Sequence, residues 1–246
     1  MQLLLDVGSA VDAFTDDGWT ALHCAADEGN AEAVQLLLDA GCAVDAITAC
    51  GYRALHCAAF QGHGEAVQLL LGAGSAIDAA DAGGWTALHC AADEGHADVV
   101  QLLLGAGCAV TADGWTALHC AAEQGHAEVV QLLLGAGSAV DAVTTADANA
   151  DDQDDDDDTV GWTALHWAAN KGHAEVVQLL LGAGSAVDAI TAHGYTALHC
   201  AAFQGHAEAV QLLLGAGADP QPSLAAAILE CRHEIARLLR DAGAAN

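Results

Sequence analysis

The sequence is short of basic residues. Five lysines and arginines stand against 34 aspartates and glutamates, which gives a formal net charge of -29 at pH 7. A protein this anionic repels phosphate backbones and anionic lipid surfaces, because it has almost no cations with which to displace their counterions. The composition therefore argues against nucleic acid and membrane surfaces as partners.

Aromatic residues make up 4% of the chain, and it has only two prolines. The 54% hydrophobic content consists mostly of Ala, Leu and Val, the residues of closely packed helices, which favours an all-α protein. No apolar run approaches the roughly 18 residues that a membrane helix needs, and residues 1–6 lack the basic region of a secretory signal. We expect a soluble intracellular protein, cytoplasmic or nuclear.

The nine cysteines do not suggest a disulfide framework. Their number is odd, and five occupy equivalent positions in successive repeats: Cys24, Cys57, Cys90, Cys120 and Cys200. Equivalent positions on neighbouring helices lie about 8 to 10 Å apart, farther than the Cα atoms of a disulfide. The sequence predicts reduced, buried thiols, which again favours the cytosol or nucleus.

One pattern recurs along most of the chain. Gly-(Trp/Tyr)-x-Ala-Leu-His-x-Ala-Ala begins at Gly18, Gly51, Gly84, Gly114, Gly161 and Gly194, at intervals of 33, 33, 30, 47 and 33 residues. A glycine turn, a second apolar run and an Ala-Gly stop follow each copy. The repeating unit is therefore predicted to be helix, turn, helix and loop.

Local signals explain where these helices begin and end. Thr20 is a candidate N-cap, and Gly29 can adopt the left-handed conformation that ends a helix. Both helices are shorter than about 12 residues and would not persist alone in water. They are expected to be stable only when their apolar faces are buried against adjacent repeats.

The 33-residue period with Thr-Ala-Leu-His-x-Ala-Ala, Gly-His and Leu-Leu-Leu-x-Ala-Gly resembles the ankyrin repeat over essentially the whole chain. Ala21 and its equivalents replace the family's proline, which keeps good helix propensity. The resemblance implies an all-α ankyrin-repeat solenoid, with helix-turn-helix repeats and β-hairpin or loop fingers. It also implies a protein-binding module with no enzymatic activity and no cofactor.

We predict a single array over residues 1–246. Its parts are a partial N-terminal repeat at 1–14, repeats at 15–47, 48–80, 81–110 and 111–143, an acidic disordered insert at 144–157, repeats at 158–190 and 191–221, and a C-terminal capping repeat at 222–246. The partial repeat indicates either a fragment of a longer protein or a truncated first unit. The apolar seam of the last helix is broken by Arg237, Arg240 and Asp241, as expected of a cap with one face in water.

The insert is rich in aspartate, including Asp154 to Asp158. Its like charges and few apolar groups predict disorder. Six residues from Asp147 to Asp158 fall at the offsets of an EF-hand loop. However, Asp152 occupies the position that requires Gly, and Asp158 replaces the bidentate Glu. A flexible polyanion is the preferred interpretation.

The recurrent histidines are candidates for catalytic bases or metal ligands. His23, His56, His89, His119, His166 and His199 recur once per repeat, which predicts a structural hydrogen bond between one hairpin and the next. Those after the turn glycine, from His63 to His206, are predicted to be turn residues. His-Cys neighbours point about 100° apart on a helix, and the chain has no Cys-x-x-Cys. We therefore predict no catalytic, cofactor-binding or metal-binding residues.

The resemblance places a partner along the hairpin tips and the exposed ends of the first helices. These positions hold Asp17, Trp19, Asp27, Glu28, Tyr52, Phe60, Gln61, Trp85, Asp93, Glu94, Trp115, Glu123, Gln124, Trp162, Asn170, Lys171, Tyr195, Phe203 and Gln204. Aromatics beside carboxylates suit a partner with basic and apolar anchors. Alternatively, the aromatic rings only pack the hairpins and the acids are solvated.

The leading hypothesis is a monomeric interaction module or scaffold that binds a basic protein through its concave face and finger tips. One alternative is an ankyrin-repeat fragment of a larger enzyme, channel or adaptor whose activity lies outside this chain. Another is a structural or designed array without a specific partner. Its free thiols and uneven intervals argue against design.

Overall fold

The computed structural model describes residues 11–110, 114–145, 159–230 and 232–244. They belong to two compact units, which divide the chain into residues 1–109 (unit 1) and 110–246 (unit 2). Residues 1–10 of the predicted partial repeat and 146–157 of the predicted insert lie outside the described residues, as does the EF-hand-like segment. The predicted repeat boundaries stay a prediction.

The described residues form helices joined by turns and contain no named strand, which confirms the all-α prediction. The one β-bridge among them joins Phe14 and Thr20. In unit 1 the helices are α1 (Ala21–Asp27), α2 (Ala31–Asp39), α3 (Ala54–Phe60), α4 (Gly64–Gly72), α5 (Ala87–Asp93) and α6 (Ala97–Gly105). In unit 2 they are α7 (Ala117–Gln124), α8 (Ala127–Gly135), α9 (Ala164–Lys171), α10 (Ala174–Gly182), α11 (Ala197–Gln204), α12 (Ala207–Gly215), α13 (Gln221–Leu229) and α14 (His233–Asp241).

Each repeat has a first helix, such as α1, α3 and α5, and a second helix, such as α2, α4 and α6. Within each unit, helices pack against their equivalents in the next repeat. In unit 1, α3 lies between α1 and α5, while α4 lies between α2 and α6. The buried face of each first helix carries a leucine such as Leu55, and that of each second helix carries valine and leucine, such as Val67 and Leu70. Burying one such leucine contributes about 1.5–3 kcal/mol. Neighbouring repeats therefore supply the stability that helices of seven to nine residues lack alone.

Aspartates on the loops after the second helices tie successive repeats together. In unit 1, Asp45 Oδ1 accepts hydrogen bonds from the Ser75 hydroxyl at 3.1 Å and from the Ala76 N–H at 3.0 Å. In unit 2, Asp141 makes the same pair of bonds to Ser185 and Ala186. Part of the negative charge is thus structural.

We call the loop between the second helix of one repeat and the first helix of the next a finger. The finger that carries the acidic insert has the same hydrogen bonds at its base as a finger without an insert. In a regular finger the Tyr195 N–H donates to Thr191 Oγ1, and the Thr191 N–H donates to the Tyr195 carbonyl. Thr144 and Trp162 make the same two bonds across the insert. The base of this finger is therefore the same as in a regular one.

Candidate protein-binding surface

The signature histidines join the start of a first helix to the next repeat, as the sequence predicted. His23 Nδ1 accepts from the Thr20 N–H at 3.2 Å and lies 2.8 Å from the Thr20 hydroxyl. Nε2 donates to the Tyr52 carbonyl, 3.1 Å away in the next finger. His56 makes the equivalent bond to the Trp85 carbonyl, and His166 to that of Tyr195. In these three histidines both ring nitrogens therefore form hydrogen bonds that stabilise the fold.

These hydrogen bonds require a neutral imidazole, because a protonated Nδ1 could not accept. Burial lowers the pKa of His23, His56 and His166, and their bonds to backbone carbonyls offset this only in part. Burial also lowers the pKa of His199. Unlike the others, His199 has a buried Nδ1 with no hydrogen-bond partner.

The recurrent Trp and Tyr residues of the fingers pack on these histidines. The ring centroids of Trp19 and His23 lie 5.8 Å apart, and those of Tyr195 and His199 lie 5.7 Å apart. The aromatic residues nevertheless keep exposed surface, and Tyr195 is 46% exposed. Each ring therefore supports its finger and still presents one part to solvent.

The histidines after the turn glycines do more than form turns, and sequence reasoning missed this. His63 Nε2 donates to the Asp27 carbonyl at the end of α1, and His206 Nε2 donates to that of Asn170 at the end of α9, each at 3.0 Å. They therefore fix the ends of first helices that carry candidate binding residues. Their recurrence after five of the six turn glycines was the available signal.

Near-identical repeats differ mainly where they face solvent. The Ala-Leu-His and Ala-Ala positions of the first helices are largely buried in every repeat. The next two positions change from one repeat to the next and are exposed or half-buried: Asp27 and Glu28, Phe60 and Gln61, Asp93 and Glu94, Glu123 and Gln124, Asn170 and Lys171, Phe203 and Gln204. Packing holds the first set constant, while the second set is open to a partner.

In unit 2 several candidate residues line one groove of about 380 Å³, which we call the Trp162 site. Its members are Trp162, Asn170, Tyr195, His199, Cys200, Phe203 and Gln204. Gln204 Nε2 donates to Asn170 Oδ1 at 3.2 Å, so the two side chains are joined at the helix ends. None of the seven is a carboxylate, and burial raises the pKa of Cys200 to about 12, which keeps its thiol neutral. The groove is aromatic and uncharged.

A family model described as ankyrin repeats matches the chain three times, at residues 1–81, 73–145 and 138–223. The chain belongs to the ankyrin-repeat family. Among solved structures, it is similar to the ankyrin repeat domain of human ASB11, with 28% sequence identity and a TM-score of 0.72. That similarity covers 81% of this chain and 85% of the other. No curated protein matches the sequence.

Ankyrin repeats are protein-interaction modules and are generally not catalytic. In the described parts of this ankyrin chain, no three His, Cys, Asp or Glu side chains gather in a group that could hold a metal ion. Within the same residues, no helix combines the length and apolar character needed to cross a bilayer.

Lys171 does not stand free on the ankyrin surface. Its ammonium lies 3.1 Å from Glu123 Oε1, at the end of the preceding first helix. This pair cancels one of the candidate carboxylates in unit 2. In unit 1, the partner of Asp27 Oδ1 is a neutral amide, because Gln61 Nε2 donates to it at 3.1 Å. The acidic character of the candidate surface is therefore stronger in unit 1.

Trp167, which replaces the recurrent cysteine, completes a tryptophan cluster. Its ring centroid lies 5.0 Å from that of Trp115 and 4.6 Å from that of Trp162. Trp167 is 8% exposed, and its ring contacts that of Trp162 in the finger that carries the insert. The substitution thus fills the space between two fingers of unit 2.

Arg53, which replaces a capping threonine, donates from Nη1 to the Ala80 carbonyl of the next finger.

The sequence prediction did not include the exposed apolar residues that share one repeat position on the fingers. Phe14 is 75% exposed and Ile47 is 56% exposed in unit 1, and Val143 and Ile190 hold the same repeat position in unit 2. An apolar residue immediately before the finger threonine in successive repeats was the signal that could have found them.

The prediction of buried thiols is wrong for Cys24. Cys57, Cys90, Cys120 and Cys200 are buried, but Cys24 is exposed. Cys57, Cys90 and Cys200 each lie on a helix packed against an earlier first helix of the same unit, and no described helix precedes α1 in unit 1. None of the eight described cysteines forms a disulfide, and Cys231 lies outside the described residues.

Proposed function

We propose that this chain binds a protein partner with a basic surface, through the ends of its first helices and the tips of its fingers. The observation that carries the proposal is the variation of exposed positions among repeats whose buried positions stay nearly constant. Packing alone requires no such variation, whereas recognition of an irregular partner surface does.

The charge of the surface supports a basic partner. Asp17, Glu28 and Glu94 are exposed, and Asp27 and Asp93 are half-buried, all within unit 1. A cluster of carboxylates attracts cationic groups and speeds their encounter. The net charge of -29 acts in the same direction and disfavours nucleic acid and anionic membranes.

The remaining parts of the proposal concern catalytic activity, oligomeric state and location. Signature histidines such as His23, His56 and His166 hydrogen-bond within the fold through both ring nitrogens, and four of the recurrent cysteines are buried. We therefore propose a binding protein without catalytic activity of its own. We further propose that it acts as a monomer inside the cell, where its described cysteines, which form no disulfide, stay reduced.

A peptide-display selection with a random library tests the proposal without knowledge of the natural partner. We expect enrichment of peptides that combine Lys or Arg with aromatic or large aliphatic residues. Their affinity should fall steeply between low and high salt, because exposed charges are screened. Affinity that is independent of salt, or enrichment of acidic peptides, would contradict a basic partner.

The site variant replaces four candidate acids, as Asp27→Asn, Glu28→Gln, Asp93→Asn and Glu94→Gln. Each exposed ion pair contributes about 0.2–1 kcal/mol, so the selected peptides should bind about fivefold more weakly or worse. The matched control removes four exposed acids of the second helices in the same unit, as Glu32→Gln, Asp39→Asn, Glu65→Gln and Asp98→Asn. An equal loss in both variants would assign the effect to net charge and overturn the proposed surface.

A further inference from the structure

The Trp162 site has a counterpart in unit 1, which we call the Trp19 site. Each member of the Trp162 site has an equivalent 143 positions earlier in the chain, and six of the seven residue types are identical. The Trp19 site therefore contains Trp19, Asp27, Tyr52, His56, Cys57, Phe60 and Gln61. The one difference is that Asp27 stands where the Trp162 site has Asn170.

The two sites hold this residue in the same way. Gln61 Nε2 donates to Asp27 Oδ1 at 3.1 Å, and Gln204 Nε2 donates to Asn170 Oδ1 at 3.2 Å. In each case the backbone carbonyl of the same residue accepts from a histidine of the next repeat at 3.0 Å. The two side chains therefore differ in charge but have similar size and the same hydrogen-bond support.

The charge of Asp27 reaches the interior of its site. Burial, and then the negative charge of Asp27, raise the pKa of the Cys57 thiol to about 12. In the Trp162 site, burial raises the pKa of the equivalent Cys200 thiol to about 12, with no carboxylate contributing. A ligand group near this cysteine would thus have a carboxylate beside it in one site and an uncharged amide in the other.

Both sites present aromatic surface beside this residue. Phe60 is 41% exposed and Phe203 is 49% exposed. A cation over an aromatic face is attracted by the ring, and a carboxylate beside it adds a charge-assisted hydrogen bond. An ionised carboxylate has about four acceptor positions, of which Gln61 occupies one in the Trp19 site. Where the carboxylate is replaced by an amide, a cation would be desolvated without a counter-charge.

We propose that Asp27 and Asn170 set the specificity of these two sites for the side chains of the partner protein. The Trp19 site binds a cationic side chain, arginine or lysine, and the Trp162 site binds an uncharged apolar or aromatic one. This inference rests on the proposed function and adds the chemistry of the partner at each site. The partner then carries a basic anchor and a neutral anchor as separate elements.

The test uses small probes and the full chain. N-acetyl-arginine amide and N-acetyl-citrulline amide have nearly the same shape, but only the first is charged. Each is titrated into the 15N-labelled protein at constant ionic strength, while the indole N–H signals of Trp19 and Trp162 are followed. We expect the Trp19 site to prefer arginine amide by about threefold to tenfold, and the Trp162 site to show no such preference.

Exchanging the two residues provides matched variants. Asp27→Asn should abolish the arginine preference of the Trp19 site, and Asn170→Asp should create one at the Trp162 site. Both changes keep the size of the side chain, and circular dichroism confirms that each variant is folded. Phe60→Leu, which keeps an apolar side chain but removes the ring, should weaken arginine binding at the Trp19 site and leave the Trp162 site unchanged.

Equal binding of the two amides at the Trp19 site would overturn the specificity assignment, as would an Asn170→Asp variant without a new preference. If peptides from the display selection still bound this face, the proposed function would stand and only this inference would fail. If neither amides nor peptides perturbed either indole signal, both would fail. N-acetyl-leucine amide should perturb the Trp162 site, and its failure to do so would overturn the assignment of a neutral anchor.

Discussion

Gly62→Ala and Gly74→Ala form a pair of substitutions that isolates one contact between repeats. Both glycines have left-handed backbones, with φ of +76° and +86°. A methyl group there costs about 1–2 kcal/mol, offset by about 0.4–1 kcal/mol because alanine restricts the unfolded chain. At Gly74 a Cβ would meet nothing within 4 Å, so this small balance should be the whole effect.

At Gly62 the same methyl group would lie 2.5 Å from Nδ1 of His96. The ring must move, and its Nε2–H would lose the 2.9 Å hydrogen bond to the Phe60 carbonyl. One such bond contributes about 0.5–1.5 kcal/mol. With the disturbed packing of the ring, Gly62→Ala should destabilise the protein by about 1–2 kcal/mol more than Gly74→Ala.

Urea unfolding followed by circular dichroism at 222 nm measures this difference. With a slope of about 1–3 kcal/mol per molar urea, the Gly62→Ala midpoint should lie about 0.3–2 M below that of Gly74→Ala. In a His96→Ala background the obstructing ring is gone, so the two glycine substitutions should then cost the same. Equal midpoints in the natural background, or an unequal cost without the ring, would refute the reasoning.

Two further predictions concern titratable groups. Burial lowers the pKa of His23, His56 and His166 in the folded protein. Histidines in the unfolded chain have a pKa of about 6.5, so near and below that pH the unfolded state binds more protons than the folded state. The unfolding free energy should therefore decrease as pH falls from about 6.5 towards those lowered pKa values. The decrease should be smaller in His56→Gln. A urea midpoint that stays the same or rises when the pH is lowered from 7.5 to 5.5 would contradict this. Burial raises the pKa of Cys57 to about 12, whereas Cys24 is exposed. Iodoacetamide should label Cys24 well before Cys57, as peptide mass spectrometry can measure, and equal labelling rates would count against the packing of α1 and α3.

The fold could be predicted from the sequence because its signals are local and repeat. Thr20 caps α1 through a residue three positions later, and Gly29 ends the following turn with φ of +66°. The recurrence of His23 and its equivalents predicted their structural role without coordinates. Neither Cys24 nor Lys171 could be placed correctly in this way, because the surroundings of each depend on which helix lies next to it.

The sequence by itself determined the helical pairs, the turns between them and the family, since interactions within a few residues recur with a fixed period. Tertiary structure alone decided which surfaces remain open. It brought Trp162 and Phe203 to one groove, paired Lys171 with Glu123 and left Phe14 exposed. These outcomes join residues from different repeats. They therefore depend on the packing of neighbouring helices and not on the local sequence of any one of them.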